Sequence, residues 1–183
     1  MGLPMPGDGP FLWIRDQSSP LGFWHAPEGG MCVNAFLFVR RGSTILLGKY
    51  ADHPMWDELA GLDAGRRQRF GMGWTVPGTH LKFGEEPRAA ARRIGEEVLQ
   101  AKGLVYEEPR VESDTYPAAF AGGKLHYDLW FFFDARPPES WEAKAPPWYA
   151  ELSWQDPAAL PPSVYGRSHE DVVARWLQTR RPG

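Results

Sequence analysis

The run Met31–Arg40, MCVNAFLFVR, limits the fold more than any other part of the chain. It is almost wholly apolar and does not alternate, which is the pattern of a β-strand covered on both faces. Such a strand belongs at the centre of a sheet. After the turn Arg41-Gly42-Ser43, the segment Thr44–Lys49 (TILLGK) supplies a second strand and completes a hairpin. Arg110–Tyr116 reads as a further strand. Leu125–Asp134 (LHYDLWFFFD) is the strongest strand signal in the sequence. There His126, Asp128 and Trp130 fall on one face, and Leu125, Tyr127, Leu129 and Phe131 on the other. Ser168–Arg180 reads as a terminal helix, with Glu170 and Asp171 in its first turn and Val172, Val173, Trp176 and Leu177 at helical spacing.

A chain of 183 residues, 43% of them hydrophobic, suits one domain with a single core. The expected division is a Pro/Gly-rich extension over residues 1–30, with a short strand around Phe11–Ile14, and one domain over 31–183. A formal charge of −3 argues against a binder of bulk nucleic acid, which carries a basic footprint. No run reaches membrane-spanning length, and the first residues lack both a basic segment and a continuous apolar one, so a soluble, unprocessed, cytoplasmic protein is expected. The single cysteine, Cys32, lies inside the apolar strand. It reads as a buried, inert thiol with no disulfide and no Cys/His metal site.

Chemistry concentrates in Pro77–Leu104, PGTHLKFGEEPRAAARRIGEEVLQAKGL. A strand-like run, Met72–Val76, leads to a turn at Pro77-Gly78; a second turn signal, Phe83-Gly84, precedes Glu85-Glu86. Pro87 suits a first helical turn, the following residues are good helix formers, and Gly103 is placed to cap the helix behind Lys102. At about 100° per residue, Ala90, Ile94, Val98 and Ala101 share one arc that should pack on a sheet. Arg92 and Glu96, and Arg93 and Glu97, are spaced as i,i+4 ion pairs. Two adjacent glutamates beside a glycine turn are suited to a hard cation such as Mg²⁺, which keeps several waters and bridges phosphates.

These residues resemble the signature of the Nudix hydrolases, Gx5Ex7REUxEExGU. With Thr79 in the place of the motif's glycine, Glu85 takes the first glutamate. Two registers then differ by one residue. Keeping the apolar helix face in phase requires a one-residue gap and puts Arg92 on the motif arginine, with Glu96 and Glu97 as the paired glutamates. The ungapped register puts Arg93 on the arginine and Val98 on a glutamate. The gapped register is preferred, because it leaves Ala90, Ile94 and Val98 buried together. In either register the glutamate after the arginine is absent, replaced by Arg93 or Ile94, and the final glycine is displaced to Gly103. Ala150–Asp156 with Leu160-Pro161 behind it is similar to the late strand of the same family.

The resemblance implies an α/β/α sandwich around a mixed β-sheet and a pyrophosphohydrolase acting on a nucleoside diphosphate linked to another moiety. It implies Mg²⁺ or Mn²⁺ held by Glu96, Glu97 and the carbonyl of Gly78, with Glu85 holding Arg92 or Arg93 to brace the loop and Glu97 as first choice of base. Arg93 would otherwise meet a substrate phosphate. Trp56, Arg66 and Arg69, in the polar insert Ala51–Gly71, could contact a base and phosphates. An exposed loop with a locally packed Trp is the blander reading of that insert. His126 and His169 are candidate bases for attack on a sugar carbon, as in relatives that lack motif carboxylates. A nucleotide-binding module without catalysis is the other alternative. The implied partner is a small nucleotide-type molecule, with a homodimer as a further option and no nucleic acid or membrane.

Overall fold

The computed structural model describes residues 13–14, 28–70 and 73–180. Its centre is the strand β2 (Met31–Arg41), which follows β1 (Trp13–Ile14). Behind it come β3 (Thr44–Tyr50), α1 (Met55–Ala60), α2 (Ala64–Phe70) and β4 (Gly78–His80). The chain continues with α3 (Pro87–Arg93), a π-helical turn (Ile94–Val98), β5 (Val105–Tyr106) and β6 (Arg110–Ala118). It ends with β7 (Lys124–Arg136), β8 (Tyr149–Gln155) and α4 (His169–Gln178). Among the described residues no helix is long and apolar enough to cross a membrane.

Both edges of β2 are used along its length. On one side β7 runs parallel to it, in a register from Met31↔Tyr127 to Val39↔Ala135. The other edge is shared in turn by β1 at Cys32, β4 at Asn34–Phe36 and β3 at Arg40–Arg41, all antiparallel. β8 extends the sheet beyond β3, and β5 and β6 both pair with β7. The sheet is therefore mixed.

Strand alternation divides the interior into two cores. Val33, Ala35, Leu37, Val39, Phe133 and Ala135 face the helix that begins with α3, meeting Ala90, Ala91, Ile94 and Val98. Phe36, Phe38, Trp130 and Phe132 face α4, meeting Val172, Val173 and Trp176. Trp176 stacks on Phe38 with ring centroids 4.6 Å apart. A continuous apolar strand is thus buried from above and below, and the expected α/β/α sandwich is the fold observed.

Three local expectations need correction. The insert Ala51–Gly71 is not an open rim: it forms α1 and α2, and Trp56, Leu59, Ala60 and Leu62 join the core on the α3 side. Pro77-Gly78 is not a turn, because Gly78 pairs with Phe36 as the first residue of β4, while Trp74 and Thr75 form only isolated bridges. A Cβ at Gly78 would stand 2.6 Å from the Phe36 ring, so the close approach of β4 to β2 requires glycine there. Finally, the motif helix does not run to Gly103. It ends after Val98, and Gln100 already has a φ of 51°.

Candidate functional site: the loop and helix around Glu85, Arg93 and Glu97

The loop after β4 is fixed to the helix by one buried ion pair. Glu86 is extended at the start of α3, and Pro87 opens the helix, where its missing N–H breaks no bond. Two turns later Arg93 reaches back over the loop. Its Nε and Nη2 donate to the two carboxylate oxygens of Glu85, each at 2.8 Å. Nη2 also donates to the His80 carbonyl at 3.0 Å, and Nη1 to the Leu59 carbonyl at 3.2 Å. The Lys82 backbone N–H donates to Glu85 at 2.8 Å. The side chains of Arg93 and Glu85 are only 6% and 12% exposed. Burial pushes the Glu85 carboxyl up, but the bonds from Arg93 and the Lys82 amide outweigh it and hold the group below the usual carboxylate range.

This pair decides the register. The partner of Glu85 is Arg93, not Arg92, so the ungapped alignment is the one the fold adopts; Arg92 is exposed on another side of the helix. Consequently Ile94 and Val98 occupy two motif glutamate places, and both are fully buried at 0% exposure in the core beneath the helix. Gln100 falls on the motif's final glycine, and its left-handed φ of 51° is the backbone that glycine adopts without strain. The premise behind the gapped register was correct, since Ala90, Ile94 and Val98 are indeed buried together. Core residues nevertheless stand on the places where the resembled motif has carboxylates.

The glutamate pair remains exposed. The Leu99 N–H bonds to the Ile94 carbonyl at 2.9 Å, an i→i+5 bond that widens this last turn. Gly95 admits the Tyr106 hydroxyl so closely that any Cβ would collide with it. Burial and the nearby Glu96 push the Tyr106 phenol up to about 12, which places Glu96 on the β5 side. Glu97 follows Arg93 by one turn. The expected pairs Arg92–Glu96 and Arg93–Glu97 do not form, because Arg93 is committed to Glu85, and among the described residues neither glutamate has an ion-pair partner. Glu97 holds a motif glutamate place in either register. In the antiparallel β2/β4 pair, the Pro77 carbonyl accepts from Leu37 N–H at 2.8 Å, so by alternation the Gly78 carbonyl faces away from β2.

The remaining candidates lie elsewhere. Trp56 is fully buried, and its indole N–H donates to the Trp148 carbonyl at 2.7 Å, so it is a core residue with no face left for a base. The side chains of Arg66 and Arg69 lie outside the described part of the structure. Their neighbour Arg67 pairs with Asp52 at 3.0 Å and Asp57 at 2.9 Å. His169 opens α4 but points inward: its Nδ1 accepts the Val76 backbone N–H at 2.9 Å, and its ring sits edge-on to Phe36. Burial, with a smaller contribution from Arg167, holds the His169 imidazole well below its ordinary value.

His126 is also buried, on the α4 face of the sheet, with its Nδ1 2.8 Å from the Gly29 carbonyl. Burial alone would lower its pKa, but the Asp128 carboxylate, the Cys32 sulfur and the Gly29 carbonyl beside it favour the protonated ring and push it up to about 10. Cys32 therefore does not sit among apolar neighbours alone. It stands beside His126 and Asp128, a grouping the sequence reading did not foresee. Gln100 is the other residue that matters and was not singled out, while Thr79, Ile94 and Val98 were read as motif positions. The ungapped alignment carried the signal for it.

No model of a known protein family matches the sequence, and no curated relative matches it either. Similar solved structures are nevertheless found. A NUDIX hydrolase from Nitrosomonas europaea is similar at a TM-score of 0.55 and 16% identity, over 86% of this chain and 74% of that one. The E. coli ORF135 protein is similar at 0.51 and 17%, over 84% of this chain and 94% of that one. A bifunctional NMN adenylyltransferase/ADP ribose pyrophosphatase from Francisella tularensis, complexed with AMP and a Mn ion, gives 0.50 and 18%, over 87% of this chain and 44% of the other. At these identities the likeness is one of fold, and it agrees with the loop–helix brace and the layered sheet: the chain has the Nudix fold.

Proposed function

We propose that this chain is a Nudix-type hydrolase of a nucleoside diphosphate linked to another moiety, working with a reduced set of carboxylates. The observation that supports it is the Glu85–Arg93 brace, which fixes the loop from His80 to Glu85 against the helix and leaves Glu97 exposed one turn beyond. Ile94 and Val98 have no donor to give, while Glu97, the adjacent Glu96 and the Gly78 carbonyl, which is turned away from β2, are oxygen donors. That set fits Mg²⁺ or Mn²⁺ only when the substrate diphosphate supplies further oxygens, a sharing common for Mg²⁺.

A bound cation would neutralise charge on the bridging phosphates. Glu97 then takes the proton of an attacking water, whose oxygen forms a new bond to phosphorus as the anhydride P–O bond breaks; the leaving phosphate takes the electron pair. Glu85 and Arg93 act as positioning residues, holding the loop through each other. Attack on a sugar carbon has little support here, since His126 and His169 are both buried with protein partners.

The loss of two carboxylate places to Ile94 and Val98 favours a second reading, a nucleotide-binding module without turnover on the same fold. A panel of nucleotide sugars, dinucleoside polyphosphates and free nucleoside triphosphates, assayed with Mg²⁺ and Mn²⁺ up to millimolar concentration, separates the two. Metal-dependent release of a nucleoside monophosphate supports the hydrolase. Calorimetric binding with no turnover under any metal contradicts it and supports the module.

A further inference from the structure

The face of the sheet opposite the motif helix carries a second group of reactive side chains. Cys32, near the start of β2, is paired with Asp128 by the parallel register of β2 and β7. His126, two residues before Asp128, projects to the same face. One ligand atom from each of Cys32, His126 and Asp128 lies within 4.8 Å of the others, and all three residues are buried.

Each of the two strand-β7 residues is also held from behind. The Gly29 carbonyl, 2.8 Å from His126 Nδ1, can only accept, so Nδ1 carries a hydrogen. That orients the ring with Nε2 toward the carboxylate, 3.6 Å from Asp128 Oδ1. Asn34 Nδ2 donates to Asp128 Oδ1 at 3.1 Å, and the Tyr116 hydroxyl donates to Oδ2 at 2.9 Å. Outer partners that fix the tautomer of a histidine and the plane of a carboxylate are the usual supports of metal ligands.

We propose that Cys32, His126 and Asp128 form a site for a tetrahedral transition-metal ion, Zn²⁺ in the first instance, with the fourth position taken by water. One thiolate, one imidazole and one carboxylate are the three ligand types that zinc accepts, whereas Mg²⁺ would find a single oxygen donor. A dication with a thiolate and a carboxylate is neutral overall, which suits a buried site better than either anion alone. Ligand atoms around tetrahedral zinc stand roughly 3.3–3.8 Å apart, so the histidine–aspartate distance of 3.6 Å already fits, and the cysteine sulfur lies within 4.8 Å of both partners. The site does not depend on Glu97 or on any nucleotide, and it stands or falls apart from the proposed hydrolysis.

The test uses the full chain, stripped with a chelator and titrated with Co²⁺ alone. The expected result is one equivalent bound, with strong visible absorption of a tetrahedral ion and a near-ultraviolet thiolate charge-transfer band. Cys32→Ser should abolish that band, and His126→Gln should weaken binding at least tenfold. Because Cys32 is the single cysteine, Zn²⁺ should also slow its reaction with a thiol reagent in the unsubstituted chain, a readout that survives a variant failing to fold. No band at one equivalent, or no protection of the thiol by Zn²⁺, would overturn the proposal. So would a charge-transfer band that persists in a folded Cys32→Ser chain.

Discussion

The two faces of the sheet reverse what their sequences suggest. Under α3 and its π-helical turn, where the motif calls for carboxylates, Ile94 and Val98 are fully buried hydrocarbon. On the α4 face, where Cys32 was expected inside an apolar strand and His126 and Asp128 on one face of another, Cys32, Asn34, His126 and Asp128 are buried together. Burial tolerates polar groups only where partners satisfy them. Asp128 has such partners in Asn34 and Tyr116, while Ile94 and Val98 share their core with Leu37, Phe133 and Ala135. The same strand, β2, supplies both environments by alternating its side chains.

The largest expected effect comes from forcing the motif pattern onto the apolar face. Val98→Glu would bury a carboxyl with no partner and should cost about 4 kcal/mol in denaturant unfolding. A variant that kept its stability would mean that position 98 opens to solvent and that the face is not committed to packing. Next, Arg93→Ala removes the guanidinium from Glu85 and from two backbone carbonyls. Breaking a buried pair on one side should cost about 3 kcal/mol, whereas Arg92→Ala should change stability by less than about 0.5 kcal/mol. Equal effects at the two arginines would return the register to an open question.

The α4 face should reveal itself through pH. The folded-state pKa of His169 is well below its unfolded value of about 6.5, so the unfolded chain binds a proton that the folded chain refuses. Its contribution to stability is whole above about pH 6.5 and falls by about 1.4 kcal/mol per unit as pH drops toward the folded value. Unfolding midpoints at pH 7.5 and 5.5, compared with those of His169→Asn, isolate this slope; an equal slope in the variant would show that another group is responsible. The smallest effect is at the helix end. Gln100→Gly should stabilise the chain by about 1 kcal/mol by relieving a left-handed backbone, and a loss of stability would count against the alignment of Gln100 with the motif glycine.

Long, strongly patterned elements were legible in the sequence. The strands β2 and β7 and the helix α4 read correctly because burial on one or both faces writes a periodicity that needs no partner to interpret. The helices α1 and α2 were missed, being six and seven residues long with no side-chain cap at α1. The π-helical turn was invisible, since an i→i+5 bond leaves no mark on residue type. The apolar face of the motif helix was read correctly and still misled, because the gapped register was chosen to keep buried residues off the glutamate places, whereas Ile94 and Val98 stand on them while buried in the core. The grouping of Cys32 with Asp128 depends on a parallel register across 96 residues of chain, from 32 to 128, and pairing of that kind is set by the assembled core.

The central claim is that Glu97 remains the working carboxylate of the braced loop and helix. Steady-state turnover of the best substrate from the panel, measured with saturating Mg²⁺ for the unsubstituted chain and for Glu97→Gln, tests it most directly. A rate about a hundredfold or more lower is expected in the variant, with unchanged circular dichroism and unfolding midpoint, since Glu97 is exposed and has no ion-pair partner among the described residues. Full activity in a folded Glu97→Gln chain would contradict it.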